Sequence, residues 1–205
     1  MPILVLMINK ISLEIFFKKI FEVAKENYEE FNSLDGKLGD GDLGISISKG
    51  LEEINNNISK FEDDLGKTFL LCAQSFTKAS SSSFGTLVAI SFMTAAKETK
   101  GENDIDIDKV PFIIDKIIEA VCIRGKSKIG DKTFVDTLYE ISNELKSSKS
   151  NFGINVHTAT KKALDKFKGK ECKIGRARMF LEKSKELNDP GMFALHKLTT
   201  IFIEK

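Results

Sequence analysis

The sequence predicts an all-α protein, and three observations carry that expectation. Apolar residues recur at helical spacing along most of the chain, prolines number only three in 205 residues, and no stretch shows the period-two alternation of a half-buried strand. Residues 11–28 place Leu13, Phe16, Phe17, Ile20, Phe21 and Ala24 on one side, a wide apolar stripe. Residues 45–58 turn Ile47, Leu51 and Ile54 inward. Residues 65–78 are apolar nearly all round, the mark of a buried helix, and 87–97 resume after a serine-rich interruption. Residues 110–123 and 134–145 flank a polar connection, and 156–167, 175–184 and 192–203 complete the set. Residues 100–108 and 147–151 read as loops. The pattern amounts to about eight helices joined by short connections, with no internal repeat.

Composition narrows the function classes. A net charge of +1 with 30% charged residues gives neither a nucleic-acid footprint nor an acidic tail. Cys72, Cys122 and Cys172 are widely spaced, odd in number and free of C-x-x-C spacing, which argues for a reducing interior and against a disulfide framework or zinc site. The apolar start M-P-I-L-V-L-M-I lacks a basic leader and a cleavage site, and no segment reaches membrane-spanning length. A cytoplasmic protein follows, without membrane or nucleic-acid partner. Residues 1–9 read as an N-terminal extension, with Met7 an alternative start, and 10–205 as a single domain.

Residues 34–50, L-D-G-K-L-G-D-G-D-L-G-I-S-I-S-K-G, carry the most chemistry. Asp35, Asp40 and Asp42 crowd together and repel unless a cation neutralises them, and an all-oxygen ligand set suits a hard ion such as Mg²⁺. Gly36, Gly39, Gly41 and Gly44 allow sharp turns and close backbone approach. A helix starting near Gly44 is expected to offer free N–H groups and a positive dipole end to phosphate. Gly39, Gly41 and Gly44 satisfy G-x-G-x-x-G, but the dinucleotide fingerprint needs a preceding strand, and these residues follow a helical pattern. An EF-hand counted from Asp42 ends on Glu53 yet has Ile47 where glycine is required. A plain surface Asp-Gly turn is the bland alternative.

Three further connections are unusually polar: S-S-S-S-F-G-T at 80–86, R-G-K-S-K-I-G-D-K-T at 124–133, and 175–191. If successive helices alternate in direction, alternate connections gather at one end, where hydroxyl and glycine residues offer donors to phosphate oxygens. Singly each is weak. Residues 80–83 also read as a helix cap, and Gly130–Thr133 as a turn into a capped helix. The stretch 120–127 fails as a P-loop, because Ala120 stands where glycine is needed and a helix precedes it.

Together these segments resemble the L subunit of dihydroxyacetone kinase, the nucleotide-binding component. The family pattern L-D-x-x-x-G-D-x-D-H-G-x-N is matched from Leu34 through Gly44, with Leu43 for the histidine and Ser46 for the asparagine. R-G-K-x-x-x-G-D-K-T is matched fully from Arg124 to Thr133. G-R-A-x-x-x-x-E-[RK]-S followed by D-P-G is matched by Gly175-Arg176-Ala177, Glu182-Lys183-Ser184 and Asp189-Pro190-Gly191.

The resemblance implies an eight-helix antiparallel barrel holding ADP or ATP at one end through two Mg²⁺ ions. It assigns Asp35, Asp40 and Asp42 to metal and Leu43, Gly44, Ile45 and Ser46 to the phosphate-contacting helix start. Ser83 and Phe84 fall on a phosphate-contacting turn, with Phe84 replacing a hydroxyl. Gly125 and Phe134 line the nucleotide, and Arg176, Asp189, Pro190 and Gly191 close over it. No residue of this chain is implied as a catalytic group, because the hydroxyl substrate rides on a separate K-type subunit. In the family, ADP is either resident and rephosphorylated by an M-type phosphocarrier of the phosphotransferase system, or the product of ATP turnover. A homodimer is a further expectation. The implied function is the nucleotide half of a short keto-sugar kinase; the alternative is a non-catalytic nucleotide-binding regulatory module. His157 and His196 match no family position and read as structural or exposed.

Overall fold

In the computed structural model, which describes residues 7–148 and 150–203, the helical periodicity becomes ten α-helices. These are α1 Lys10–Glu26, α2 Tyr28–Leu38, α3 Leu43–Asn56, α4 Leu65–Ala79, α5 Ser83–Glu98, α6 Val110–Gly125, α7 Phe134–Ser147, α8 Phe152–Phe167, α9 Leu181–Glu186 and α10 Pro190–Leu198. Residues 1–6, where the sequence suggests an extension ahead of Met7, lie outside the described residues.

Local chemistry sets most boundaries. Asn9 and Ser12 form a reciprocal capping box at α1, and Asp64 caps α4 through Gly66 N–H and Lys67 N–H. Ser82 caps α5 through Gly85 N–H at 2.9 Å. Thr133 and Asp136 form a second capping box at α7. Prolines 111 and 190 sit in the first turns of α6 and α10, where the missing N–H costs nothing.

Eight of the helices close a ring. Helix α3 packs on α4, and contacts then run in sequence through α5, α6, α7 and α8. Helix α8 lies against α10, and α10 returns to α1, which packs on α3. The short α2 lies against α3 and α10, and α9 sits outside the ring. The barrel interior is aromatic: Phe17, 2% exposed, meets the rings of Phe16, Phe61 and Phe92 at 5.4, 5.8 and 5.9 Å. Among the described residues, no helix is long and apolar enough to cross a membrane.

Three features depart from the sequence expectation, one being 175–184, which forms the 3₁₀ turn Arg176–Phe180 and the start of the short α9 rather than one α-helix. Helix α2 occupies what reads as the approach to a loop, so Asp35 is helical. Asn27 separates it from α1, its side-chain amide donating to Val23 O at 2.9 Å and ending the first helix. Met7–Asn9 and Asp104–Asp106 form a small antiparallel pair, Met7 opposite Asp106, where the sequence shows an extension and a loop. Three residues a side are too few to display a period.

His157 and His196 are half-buried and stack at 4.7 Å between α8 and α10. Their Nδ1 atoms lie 3.0 Å from Thr199 Oγ1 and 2.9 Å from Thr160 Oγ1 respectively. Burial, with His157 adding to it, pulls His196 down to about 4, so the ring pair packs as a structural element. The three cysteines are unpaired, and burial raises the Cys172 thiol to about 12.

Candidate functional site

The four polar connections do meet at one end of the barrel. The aspartate loop, between α2 and α3, is shaped by Asp35, whose Oδ2 accepts Gly41 N–H at 2.9 Å and Asp42 N–H at 3.0 Å. Gly41 has φ +77°, a conformation that favours glycine. The loop brings Asp35, Asp40 and Asp42 together, each offering one oxygen, with all three atoms within 4.8 Å of one another. Asp35 and Asp42 are half-buried and Asp40 is exposed, paired with the Arg176 guanidinium. This carboxylate set fits a hard divalent cation, since among the described residues it has one ion-pair partner, the exposed Arg176.

At the start of α3 the structure corrects one expectation. Gly44 N–H donates to Asn32 Oδ1 at 2.8 Å and Ile45 N–H to the same oxygen at 3.3 Å. Asn32 of α2 therefore caps α3 from outside, and these N–H groups are not free for an anion. Leu43 points into the core at 4% exposure, so the side chain replacing the family's histidine packs inward. Ser46, 5% exposed, donates from Oγ to Ser82 Oγ at 2.8 Å, and Ser82 Oγ lies 3.1 Å from Ser80 Oγ. A hydroxyl chain thus ties the aspartate loop to the serine turn.

Ser83 is exposed at the first position of α5. Phe84, next to it, packs edge-on against Phe134 at 5.6 Å. A Cβ on Gly191 would lie 3.2 Å from Phe134 Cβ and 3.3 Å from Phe84 Cε2, so α10 enters directly over this pair. Gly125 ends α6 nearby, where a Cβ would meet Leu87 of α5 at 3.7 Å. Phe134 is buried at 8% exposure, and Pro190 and Gly191 are buried with it.

The fourth connection runs over residues 168–189, between α8 and α10, and holds most of the stretch 175–191 singled out in the sequence. The 3₁₀ turn Arg176–Phe180 carries Arg176 to Asp40, and Cys172, Ala177 and Leu187 pack against Leu38 of α2. Asp189 Oδ1 accepts Met192 N–H at 2.9 Å, capping α10. Burial raises its carboxyl to about 7, opposed by Met192 N–H and the nearby Lys132 charge. The folded chain holds a proton there that the unfolded chain releases above its ordinary value of 3.8. The associated stability is present below about pH 4 and lost as pH rises through 7. Asp189→Asn keeps the cap acceptor without the titration. In thermal unfolding of the ligand-free protein, it is expected to gain about 2–4 kcal/mol on the wild type between pH 4 and 7.5. Parallel pH curves would refute this.

Sequence reasoning missed Asn32, Lys132 and Asp136. Asp136, 1% exposed, accepts Gly130 N–H at 2.6 Å and Thr133 N–H at 2.8 Å, fixing the turn before α7. Its signal was present as a T-x-x-D capping box. Lys132, 2% exposed, joins residues 124–133 to the fourth connection; its place in the matched G-D-K-T marked it without naming a partner. A cavity of about 530 Å³ lies between α2, α8, α10 and residues 185–188, away from the carboxylates. Lys37, Lys161, Phe193 and His196 line it, and it includes none of the predicted site residues.

The arrangement matches known proteins over most of its length. The chain is 28% identical over 174 residues to the ADP-binding subunit DhaL of PEP-dependent dihydroxyacetone kinase 1 from Listeria innocua, covering 84% of this chain and 85% of that one. It is 26% identical over 179 residues to the corresponding Escherichia coli subunit, covering 83% and 84%. The dihydroxyacetone kinase of C. freundii, solved in complex with AMP-PNP and Mg²⁺, shares the fold with a TM-score of 0.73 at 20% identity. That match covers 98% of this chain but spans only 34% of the solved one. The DAK2 domain model matches residues 37–204, from inside α2 through the fourth connection and past α10. Barrel, motifs and relatives agree, and the chain belongs to the DAK2 domain family.

Proposed function

We propose that this chain, with residues 10–205 as one domain, is the nucleotide-binding subunit of a kinase for dihydroxyacetone or another short keto-sugar. Its substrate is held by a separate K-type subunit. The observation that carries the reading is the carboxylate triad joined, through Ser46–Ser82 and Asp40–Arg176, to a serine turn and a covering segment. Relatives named as ADP-binding subunits support it. The unpaired cysteines, Cys72 and Cys172 buried and Cys122 half-buried, agree with a reducing, cytoplasmic setting.

Asp35, Asp40 and Asp42 would hold Mg²⁺, two ions in this reading, which supply charge neutralisation of ADP or ATP phosphate oxygens when bound. The chain's own residues position the rest. Asp35 is held by two backbone N–H groups and so presents a fixed carboxylate. Ser83 places a hydroxyl, and Arg176 a positive charge, at the rim. Phe84 and Phe134 form an apolar wall that excludes water. Positioning and electrostatics supply most of the rate in such transfers.

The test is calorimetry with ADP, with and without Mg²⁺, on protein unfolded and refolded to remove resident nucleotide, followed by reconstitution with a K-type subunit. Mg²⁺-dependent binding and restored transfer are expected. An added M-type phosphocarrier then separates resident ADP from ATP turnover. A second reading, a non-catalytic nucleotide-binding regulator, is favoured by Phe84 standing where the family carries a hydroxyl. Binding without transfer in any reconstitution would select it. No binding would overturn both.

A further inference from the structure

The fourth connection leaves the barrel after α8 and returns at α10, and one buried cation holds its two feet together. Lys132 sits in the left-handed region at φ 62°. Its Nζ donates to Lys170 O at 2.7 Å, Ser184 O at 2.6 Å and Leu187 O at 2.8 Å. All three ammonium hydrogens are therefore engaged, one at the outgoing foot and two at the returning foot. Gly169 N–H to Lys185 O at 3.2 Å, Lys173 N–H to Asp131 O at 3.0 Å and Cys172 N–H to Ser184 Oγ at 3.0 Å close the same base. Beyond that base, exposed Arg176 pairs with Asp40 of the aspartate loop, and Cys172, Ala177 and Leu187 pack on Leu38 at the end of α2.

We propose that Lys132 is a positioning residue, a latch that fixes the base of this segment over the site and thereby sets how long nucleotide stays. The proposal rests on the nucleotide reading above. The Lys132 ammonium spends all three donors on main-chain carbonyls, and its charge also lies near Asp189. Breaking one bond leaves a buried ammonium and a carbonyl unsatisfied, so the feet do not part singly. The Arg176–Asp40 pair is exposed and screened, a far weaker tie. The segment is thus rigid at its base and free to open at its tip, where Arg176 lies. Arginine cannot replace the latch, since three acceptors converge on one atom and a guanidinium spreads its donors across a plane.

Hydrogen exchange on the wild-type protein gives the first test. The Gly169, Cys172 and Lys173 amides are expected to be protected together, while residues 176–180 exchange fast and slow when Mg²⁺-ADP is added. Base amides that exchange as fast as the tip would overturn the proposal, whatever any variant does. Lys132→Met gives the second. Its Mg²⁺-ADP dissociation rate is expected to rise about 30-fold, with association changed less than about threefold, since such effects fall mainly on dissociation. Exchange should accelerate in 169–187 alone, and Lys132→Arg should not rescue. A wild-type dissociation rate in Lys132→Met, or exchange that accelerates equally across α3–α7, would overturn the latch. Wild-type protein that binds no ADP would overturn the nucleotide reading instead, and the exchange pattern would still decide whether Lys132 holds the base.

Discussion

Asp42→Ala is expected to abolish Mg²⁺-dependent ADP binding while leaving the ligand-free fold intact. Asp42 is the cleanest of the three carboxylates to remove. It stands at the N-cap of α3 without a side-chain capping bond, so only a favourable dipole contact, about 0.3–1 kcal/mol, is lost with it. Relief of repulsion within a cluster whose oxygens lie within 4.8 Å offsets that loss. A dication loses one of its charged ligands, and a unit charge pair 4 Å apart near a protein surface is worth about 4 kcal/mol per charge. Affinity measured by calorimetry should therefore fall by about a hundredfold or more. Asp35→Ala should lose binding and stability together, because Gly41 and Asp42 N–H lose their acceptor. Arg176→Ala should move the other way for Mg²⁺ alone, by about twofold to fivefold, since it frees Asp40 from an exposed pair. Wild-type ADP affinity in Asp42→Ala would refute the metal assignment.

The barrel was legible because its helices carry wide apolar stripes, and Phe17, Ile47, Leu51, Ile54 and Phe76 all lie in the core. Helix α2 was not, although Phe31, Leu34 and Leu38 keep helical spacing and Glu29 and Glu30 favour its first turn. The run L-D-G-K-L-G-D-G-D draws the eye as a loop, and its first half is helix because Gly36 still tolerates helical dihedrals. The convergence of the four connections was readable from alternation of helix direction. What joins them was not. Asn32 caps α3 from 12 and 13 residues away, and Lys132 reaches carbonyls 38 to 55 residues distant. Such bonds depend on tertiary placement, and backbone acceptors leave no mark in a sequence.

The two glycines flanking that loop should respond to the same substitution with opposite sign. Gly44 lies at a close approach of α3 to α2. A Cβ there would fall 2.8 Å from Asn32 Oδ1 and nearer still to the Tyr28 carbonyl oxygen, which is backbone and cannot swing aside. Gly44→Ala must push the two helices apart, and the separation breaks the Asn32 cap on Gly44 and Ile45 N–H. Overpacking of about 1–3 kcal/mol and a lost cap of about 1 kcal/mol together predict a loss of about 2–4 kcal/mol in denaturant unfolding. Gly36 is the counterpart, exposed within α2, where a Cβ would meet only Gly41 Cα at an ordinary 3.7 Å. Gly36→Ala removes backbone freedom from the unfolded chain at no steric cost and should stabilise by about 0.5–1 kcal/mol. Loss of stability at Gly36, or none at Gly44, would mean that the helix crossing beside the carboxylates is looser than the packing here requires. Both variants leave Asp35, Asp40 and Asp42 in place. Gly36→Ala should therefore bind Mg²⁺-ADP as the wild type does, whereas Gly44→Ala, by moving α3 away from α2, should weaken it by displacing Asp42 from its two partners.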